Sequence, residues 1–258
     1  MYALIIYIIG GIFLLIPEPH TQLTTAIGTD RAIIMGDPAR VDTLAELMEN
    51  VQPWAFNREY KSIVGEYKGR KILAMSTGIG APSAGIGVEE LHRVGIHYVV
   101  RVGSAGAMQK GIDLGKLIIA EGVVREDGLS KRYVPEIYPA VPAYRLLNLA
   151  HKYAPQAVYG IIRSHDGFYT DDNADDEAFW SGKGIVGSDM ESGILMVIGR
   201  QRGMETLSIL NNVVLYEGDL SAGVNSLVSG EDLVAQGERE SLLTALNILA
   251  DESLEVRL

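Results

Sequence analysis

Cysteine is absent from the chain, so disulfides, thiolate nucleophiles and cysteine-ligated zinc are excluded from the outset. Basic residues are scarce beside acidic ones: 22 Lys+Arg stand against 33 Asp+Glu, a net charge of −11. A body of that sign repels phosphate backbones, which argues against nucleic acid as a partner. A small anionic substrate would need a local cluster of arginines to overcome the same field. The N-terminus has neither the basic region nor the small-residue cleavage site of a secretory signal. The location expected from these absences is the cytoplasm.

The opening run MYALIIYIIGGIFLLI carries no charge, yet it is short for a membrane span. Ile5, Ile6, Tyr7, Ile8 and Ile9 suit an extended segment at least as well as a helix. Residues 1–19 are read as an apolar extension packed inside the protein or at an interface, with a membrane-seeking segment as the alternative. Residues 20–258 are read as one domain, since no repeat or low-complexity linker interrupts them. With 47% hydrophobic and 21% charged residues, a chain of this length can bury a large single core.

Short apolar runs alternate with helical patterns. Ala32–Met35 predicts a strand and residues 41–51 a helix; Lys71–Met75 predicts a strand and residues 83–94 a helix. Further strands are expected at residues 98–102, 117–120 and 207–210. Leu242, Leu243, Leu246 and Leu249 give residues 238–250 helical spacing. The alternation implies an α/β domain, a central twisted mixed sheet flanked by helices. Ligands in such sheets bind at the carboxyl ends of strands, where glycine-rich turns concentrate.

Three such turns follow predicted strands. Gly36-Asp37-Pro38-Ala39-Arg40 pairs close backbone approach with a forked donor. Gly78-Ile79-Gly80-Ala81-Pro82-Ser83 begins like a dinucleotide fingerprint, but Ser83 replaces the third glycine and no convincing acidic ribose ligand follows. Arg101-Val102-Gly103-Ser104-Ala105-Gly106 sets an arginine at a strand end before a small-residue turn. Singly, each is more often a tight turn. Together they point to one phosphate-sized anion site.

Asp189-Met190-Glu191 places two carboxylates two residues apart, the same way round in an extended segment. They would suit a ribose diol, or equally the start of the following helix. Phe168-Tyr169 precedes an acidic run, Asp171 to Glu177. This is no EF-hand, because Asp176 stands where glycine is needed and Gly182 where the last glutamate belongs. The aromatic pair offers core anchors or a base-stacking face. No histidine spacing resembles a metal site.

GDPARV, STGIGAPS followed by VEEL, RVGSAGA, SDMES and VREDGLS…PEIYPAV resemble, in order and spacing, the motifs of nucleoside phosphorylase family I. The last of them is similar to the uridine branch. The resemblance spans His20 to the C-terminal helix. It implies phosphorolysis of ribonucleosides, with inorganic phosphate as co-substrate and no organic cofactor. It further implies a phosphate site from Gly36, Arg40, Arg101 and Ser104, completed by Arg58 of a neighbouring subunit. Met190 and Glu191 would hold ribose, with the neighbour's His20 at the 5′-hydroxyl, and Phe168 and Asp189 would lie at the base. Arg101 and Glu191 are the expected catalytic pair. Glu59, Ile79 and Ser83 match the positions of a monovalent cation, potassium, at a dimer interface. The implied assembly is a hexamer of dimers with shared sites.

Two departures bear on the base. Asp172 and Ala174 stand where the uridine branch carries a glutamine and an arginine that read uracil. Asn212-Val213-Val214 runs through the place where the purine branch carries a protonating aspartate. A preference broader than uridine alone is expected, with purine nucleoside or methylthioadenosine phosphorylase as the alternative. The related nucleosidases lack this arginine set, and a non-catalytic nucleoside-binding protein would not need it.

Overall fold

The computed structural model describes residues 6–9, 12–218 and 232–255. The chain opens with a hairpin, β1 (Ile6–Ile9) against β2 (Ile12–Leu15), paired from Ile6 with Leu15 to Ile9 with Ile12. The extended reading of that stretch therefore holds for these residues. Residues 1–5, 10 and 11 lie outside the description. Among the described residues, no helix is long and apolar enough to cross a membrane.

The body is a mixed nine-stranded sheet. Its strands are β3 (Arg31–Met35), β4 (Glu49–Asn57), β5 (Tyr60–Tyr67), β6 (Arg70–Ser76), β7 (Tyr98–Ala107), β8 (Leu117–Glu126), β9 (Val158–His165), β10 (Gly187–Asp189) and β11 (Glu205–Val214). Their spatial order is β10-β9-β8-β11-β7-β3-β6-β5-β4, and β10 also pairs with β7. Five strands thus close on themselves while the other four extend from the first half of β7. Strand β7 makes this possible by its length: Tyr98–Arg101 pair with β3, and Gly106–Ala107 pair with β10.

Alternation along β3 shows how the layers form. Ile33 and Met35 face a core built with α1 (Pro38–Ala45), α4 (Tyr144–Tyr153) and α7 (Asp232–Ala250). Ala32 and Ile34 face the opposite core, with α2 (Ala81–Arg93) and α6 (Ser192–Gln201). Both faces of the strand are covered, so its whole run is apolar. The expected leucines of α7 behave accordingly: Leu242, Leu246 and Leu249 are buried, and Leu243 is half-buried.

One helix boundary is corrected. The helix expected over residues 41–51 ends at Ala45, and β4 begins at Glu49. Asn50 turns there with φ of 51°. Strand β4 is a sheet edge with register shifts on either side of Pro53, and an edge is where proline is tolerated in a sheet.

Candidate active site

The carboxyl ends of β3 and β6 create the first part of the site. After β3, Asp37 caps α1 by accepting from the Ala39 N–H at 2.8 Å, and Pro38 opens the helix. This aims the buried Arg40 back across the sheet. Its Nη2 donates to Ser104 Oγ at 3.1 Å, its Nη1 to the Val102 carbonyl at 3.3 Å and its Nε to Glu238 Oε2 at 3.0 Å. After β6, Thr77 and Gly78 donate backbone N–H bonds to the Met35 and Gly36 carbonyls, locking the two turns together.

Arg101 was expected at a strand end before a turn. It lies within β7, and residues 103–106 continue that strand. The small residues have a packing reason: a Cβ on Gly103 would lie 2.5 Å from Arg101 Nη2. Glycine lets the guanidinium fold alongside its own strand. There Arg101 Nε donates to Asp189 Oδ2 at 3.1 Å, and Nη2 donates to Glu191 Oε2. Its Nη1 is buried without a hydrogen-bond partner.

Asp189 ends β10 and Glu191 occupies the N-cap position of α6. The helix-start reading holds for Asp189, which accepts from the Ser192 N–H at 3.0 Å, and both carboxylates converge on Arg101. Glu191 closes a second helix start, since Oε1 accepts from the Gly80 N–H at 2.5 Å. Gly80 sits at φ of 91°, a conformation in the region that glycine alone adopts readily.

Burial pushes the Glu191 carboxyl above its usual range, and the nearby Asp189 charge adds to that; the Arg101 guanidinium opposes it without prevailing. Burial also opposes the charged form of Arg101, but Glu191 and Asp189 outweigh it and raise that pKa. Two carboxylates around one guanidinium leave surplus negative charge, and in a desolvated setting that surplus favours a proton on one of them.

The Asp189 side chain, expected at the base, is fully buried and accepts from Arg101, Ser164 and Ser192. Phe168 is half-buried, and Met190, also half-buried, lies between the two acids. Phe168 lines a cavity of about 660 Å³ with Asn173, Ala174, Glu177, Tyr216 and Glu217. Asp172 is exposed at the start of α5 (Asn173–Ser181), outside that lining.

Within one chain, and among the described residues, Arg58 and His20 share no hydrogen bond or ion pair with Arg40 or Arg101. Arg58 is exposed at the β4–β5 turn, with φ of 54°. His20 is anchored nearby, because Asn57 Nδ2 donates to its carbonyl at 2.8 Å and its Nδ1 lies 2.6 Å from Glu90 Oε1. Ser83 Oγ donates to Glu59 Oε1 at 2.6 Å, and that bond holds the Glu59 carboxyl below its usual range. Ile79 is 77% exposed. Among the described residues, no cluster of three His, Asp or Glu side chains could hold a metal.

Glu238 escaped the sequence reading. It begins a helical pattern, and nothing local shows that it returns to Arg40 from almost two hundred residues away. Asn212 is pinned by its Nδ2 to the Ile112 and Asp113 carbonyls at 3.1 and 3.0 Å.

Arg40 and Arg101 thus lie near the carboxyl ends of strands in a mixed sheet, beside a buried carboxylate that joins the starts of α2 and α6. The chain belongs to the phosphorylase superfamily, whose family model matches residues 30–211. A guanosine phosphorylase from Halorubrum lacusprofundi is 34% identical over 237 residues, covering 90% of this chain and 95% of the relative. The solved uridine phosphorylase of Vibrio fischeri is 46% identical with a TM-score of 0.84, over 90% of this chain and 97% of that one. Purine nucleoside phosphorylase from Toxoplasma gondii, solved with immucillin-H, superposes with a TM-score of 0.86 at 26% identity, over 93% and 98% of the two chains. The reaction is nucleoside phosphorolysis, with phosphate as co-substrate.

Proposed function

We propose that the chain converts uridine and phosphate to uracil and ribose 1-phosphate, with tolerance for other bases, at sites shared between two subunits. The observation that carries the site is the buried Arg101 Nη1 without a partner, with Arg40, bonded to Ser104, as the second arginine. An unpaired buried donor is expensive, and a phosphate oxygen would satisfy it. Gly36 leaves room for the anion's approach, and Met190 and Glu191 take the ribose.

Phosphate attacks the anomeric carbon as the bond to the base nitrogen breaks, and the base leaves with the bonding pair. Positive charge develops on the sugar, as in glycoside hydrolysis. The held dianion stabilises that charge and then captures the carbon. Glu191 fixes the diol so that attack is in line. Asp189 is a positioning residue that orients Arg101.

Electrostatics support a shared site. Within one chain, Arg40 and Arg101 face Glu238, Asp189 and Glu191, so negative charge is in excess before a dianion arrives. A partner's Arg58 would bring that balance to neutral, and the partner's chain would bring His20, anchored beside Asn57, to the 5′-hydroxyl. Assembly into a hexamer of such dimers, a cytoplasmic salvage role and potassium near Glu59, Ile79 and Ser83 belong to this reading. Residues 20–258 form the catalytic unit.

Uridine is favoured by residues 124–141 and by the Vibrio fischeri relative; breadth is favoured by Ala174 and by the Halorubrum relative's activity on guanosine. Base release from uridine, inosine, adenosine and methylthioadenosine, each with and without phosphate, tests the reaction. Turnover independent of phosphate would overturn it. Mixing inactive Arg58→Ala and Glu191→Ala chains should restore activity. No recovery after verified subunit exchange would refute shared sites.

A further inference from the structure

Arg40 is held through each of its guanidinium nitrogens, and the three contacts are unequal. The bonds from Nη1 to the Val102 carbonyl at 3.3 Å and from Nη2 to Ser104 Oγ at 3.1 Å have neutral acceptors and are on the long side. The bond from Nε to Glu238 Oε2, at 3.0 Å, is the shortest and pairs the guanidinium with a carboxylate. Charge-assisted hydrogen bonds are roughly twice as strong as neutral ones, so Glu238 is the main restraint on the guanidinium plane. It also leaves donors available. Nε has a single N–H, whereas each Nη has two, so one N–H on each Nη stays outside these contacts and can turn to an anion.

The carboxylate reaches Arg40 through the seating of α7. A Cβ on Gly237 would stand 2.6 Å from Gly115 Cα, in the loop between β7 and β8, and one on Gly115 would run into the Leu233 carbonyl. Paired glycines let the helix backbone approach that loop. Asn211 Nδ2 donates to the Val234 carbonyl at 2.9 Å, which ties the first turn of α7 to β11. Asn211 is the register partner of Ser104 on β7. The strand pair that supplies a hydroxyl to Arg40 therefore also fixes the helix that supplies Glu238.

We propose that Glu238 is a positioning residue for phosphate that acts through Arg40. The inference rests on the reading of Arg40 as a phosphate ligand. Two effects oppose each other: the carboxylate orients the guanidinium, and its charge repels a dianion. The Glu238 side chain is 18% exposed, so water screens its repulsion. The Arg40 side chain is only 6% exposed, so the bond that orients it is shielded, and orientation prevails.

The test measures base release from uridine against inorganic phosphate, beside nucleoside KM and thermal stability. Glu238→Ala should raise the phosphate KM at least about tenfold, the loss expected when a charge-assisted contact is misaligned, with kcat and nucleoside KM within about threefold. Glu238→Gln keeps an acceptor for Nε and should hold the phosphate KM within about threefold. Adding Glu238→Ala to Arg40→Ala should change the phosphate KM no further, because nothing is left to position. A lowered phosphate KM in Glu238→Ala would make the carboxylate a competitor, and lost stability with an unmoved phosphate KM would make it a helix tether; either overturns the assignment, as does an additive loss in the double variant. If Glu238→Ala does not fold, Glu238→Asp, which shortens the reach, should lose more phosphate affinity than Glu238→Gln, and the reverse order overturns the role. A normal phosphate KM in Arg40→Ala would sink the reading of Arg40 itself, whereas a raised one with Glu238→Ala unmoved sinks only the positioning role.

Discussion

The two ends of β7 handle charge in opposite ways. At its amino end, Tyr98 OH donates to the Leu254 carbonyl at 3.0 Å. Next to it Asp251 accepts from Lys152 Nζ and Tyr153 OH at 2.7 Å each, and from Ser253 Oγ at 2.6 Å. One carboxylate there meets several donors, and despite burial the Lys152 and Ser253 hydrogen bonds hold its pKa well below the usual range. Further along the strand, Arg101 meets two buried carboxylates and keeps one donor unpaired. The first cluster is satisfied and closes the fold; the second is unsatisfied in a way that a bound anion would relieve. The ratio of acids to donors separates the two clusters: one acid on several donors in the first, two acids on one guanidinium in the second.

Arg101→Ala should give the largest effect. Breaking a buried ion pair on one side costs about 3–5 kcal/mol, so thermal stability should fall while phosphate-dependent base release drops by more than about a hundredfold. Normal phosphate saturation in the folded variant would erase the contrast between the two ends. Arg40→Ala should weaken phosphate by a smaller amount, corresponding to about 1.5–3 kcal/mol for a charge-assisted bond.

Glu191→Gln sharpens the comparison, because activity and stability should move apart. Base release should fall by about a hundredfold, the cost of a misplaced sugar, yet stability at neutral pH should be unchanged or higher, since the surplus buried charge is removed. Asp251→Ala should do the reverse, losing about 1–3 kcal/mol of stability with kcat/KM intact. Denaturant unfolding and steady-state rates on both variants decide the matter; parallel losses at the two positions would show that the ends are alike.

The pH dependence should differ in sign and is the subtlest effect. The Asp251 pKa is lowered in the folded state, so its contribution is present above its unfolded value and lost as pH falls through the folded one. Glu90 acts likewise: burial opposes its charged form, but bonds from Thr21 and His20 prevail and lower its pKa. Glu191 is raised, so the folded state binds more protons just above the ordinary glutamate pKa, and stability declines as pH rises through that window. Urea unfolding from pH 3 to 8 should show a shallower acid limb in Asp251→Asn and a flatter limb above pH 4.5 in Glu191→Gln.

Much of this was legible from residue order. Short apolar runs placed β3, β6 and β7, and helical spacing placed α7, because a sheet covered on both faces and a helix packed on it demand those patterns. Clustered glycines and arginines after strands marked the anion site, since close backbone approach and forked donors are local requirements. The helix expected through residue 51 failed because an edge strand with two bulges leaves no clean period. Asp189 was expected at the base because spacing reveals which side chains travel together and not what they meet. Glu238 could not be found at all: it returns to Arg40 through the packing of α7. The sequence by itself determined the layers, the arginine pair and the two neighbouring carboxylates, because these follow from local periodicity and residue chemistry. Tertiary structure alone decided that both carboxylates converge on Arg101 and that one guanidinium nitrogen stays unpaired, because burial and charge balance are set by residues far apart in the chain.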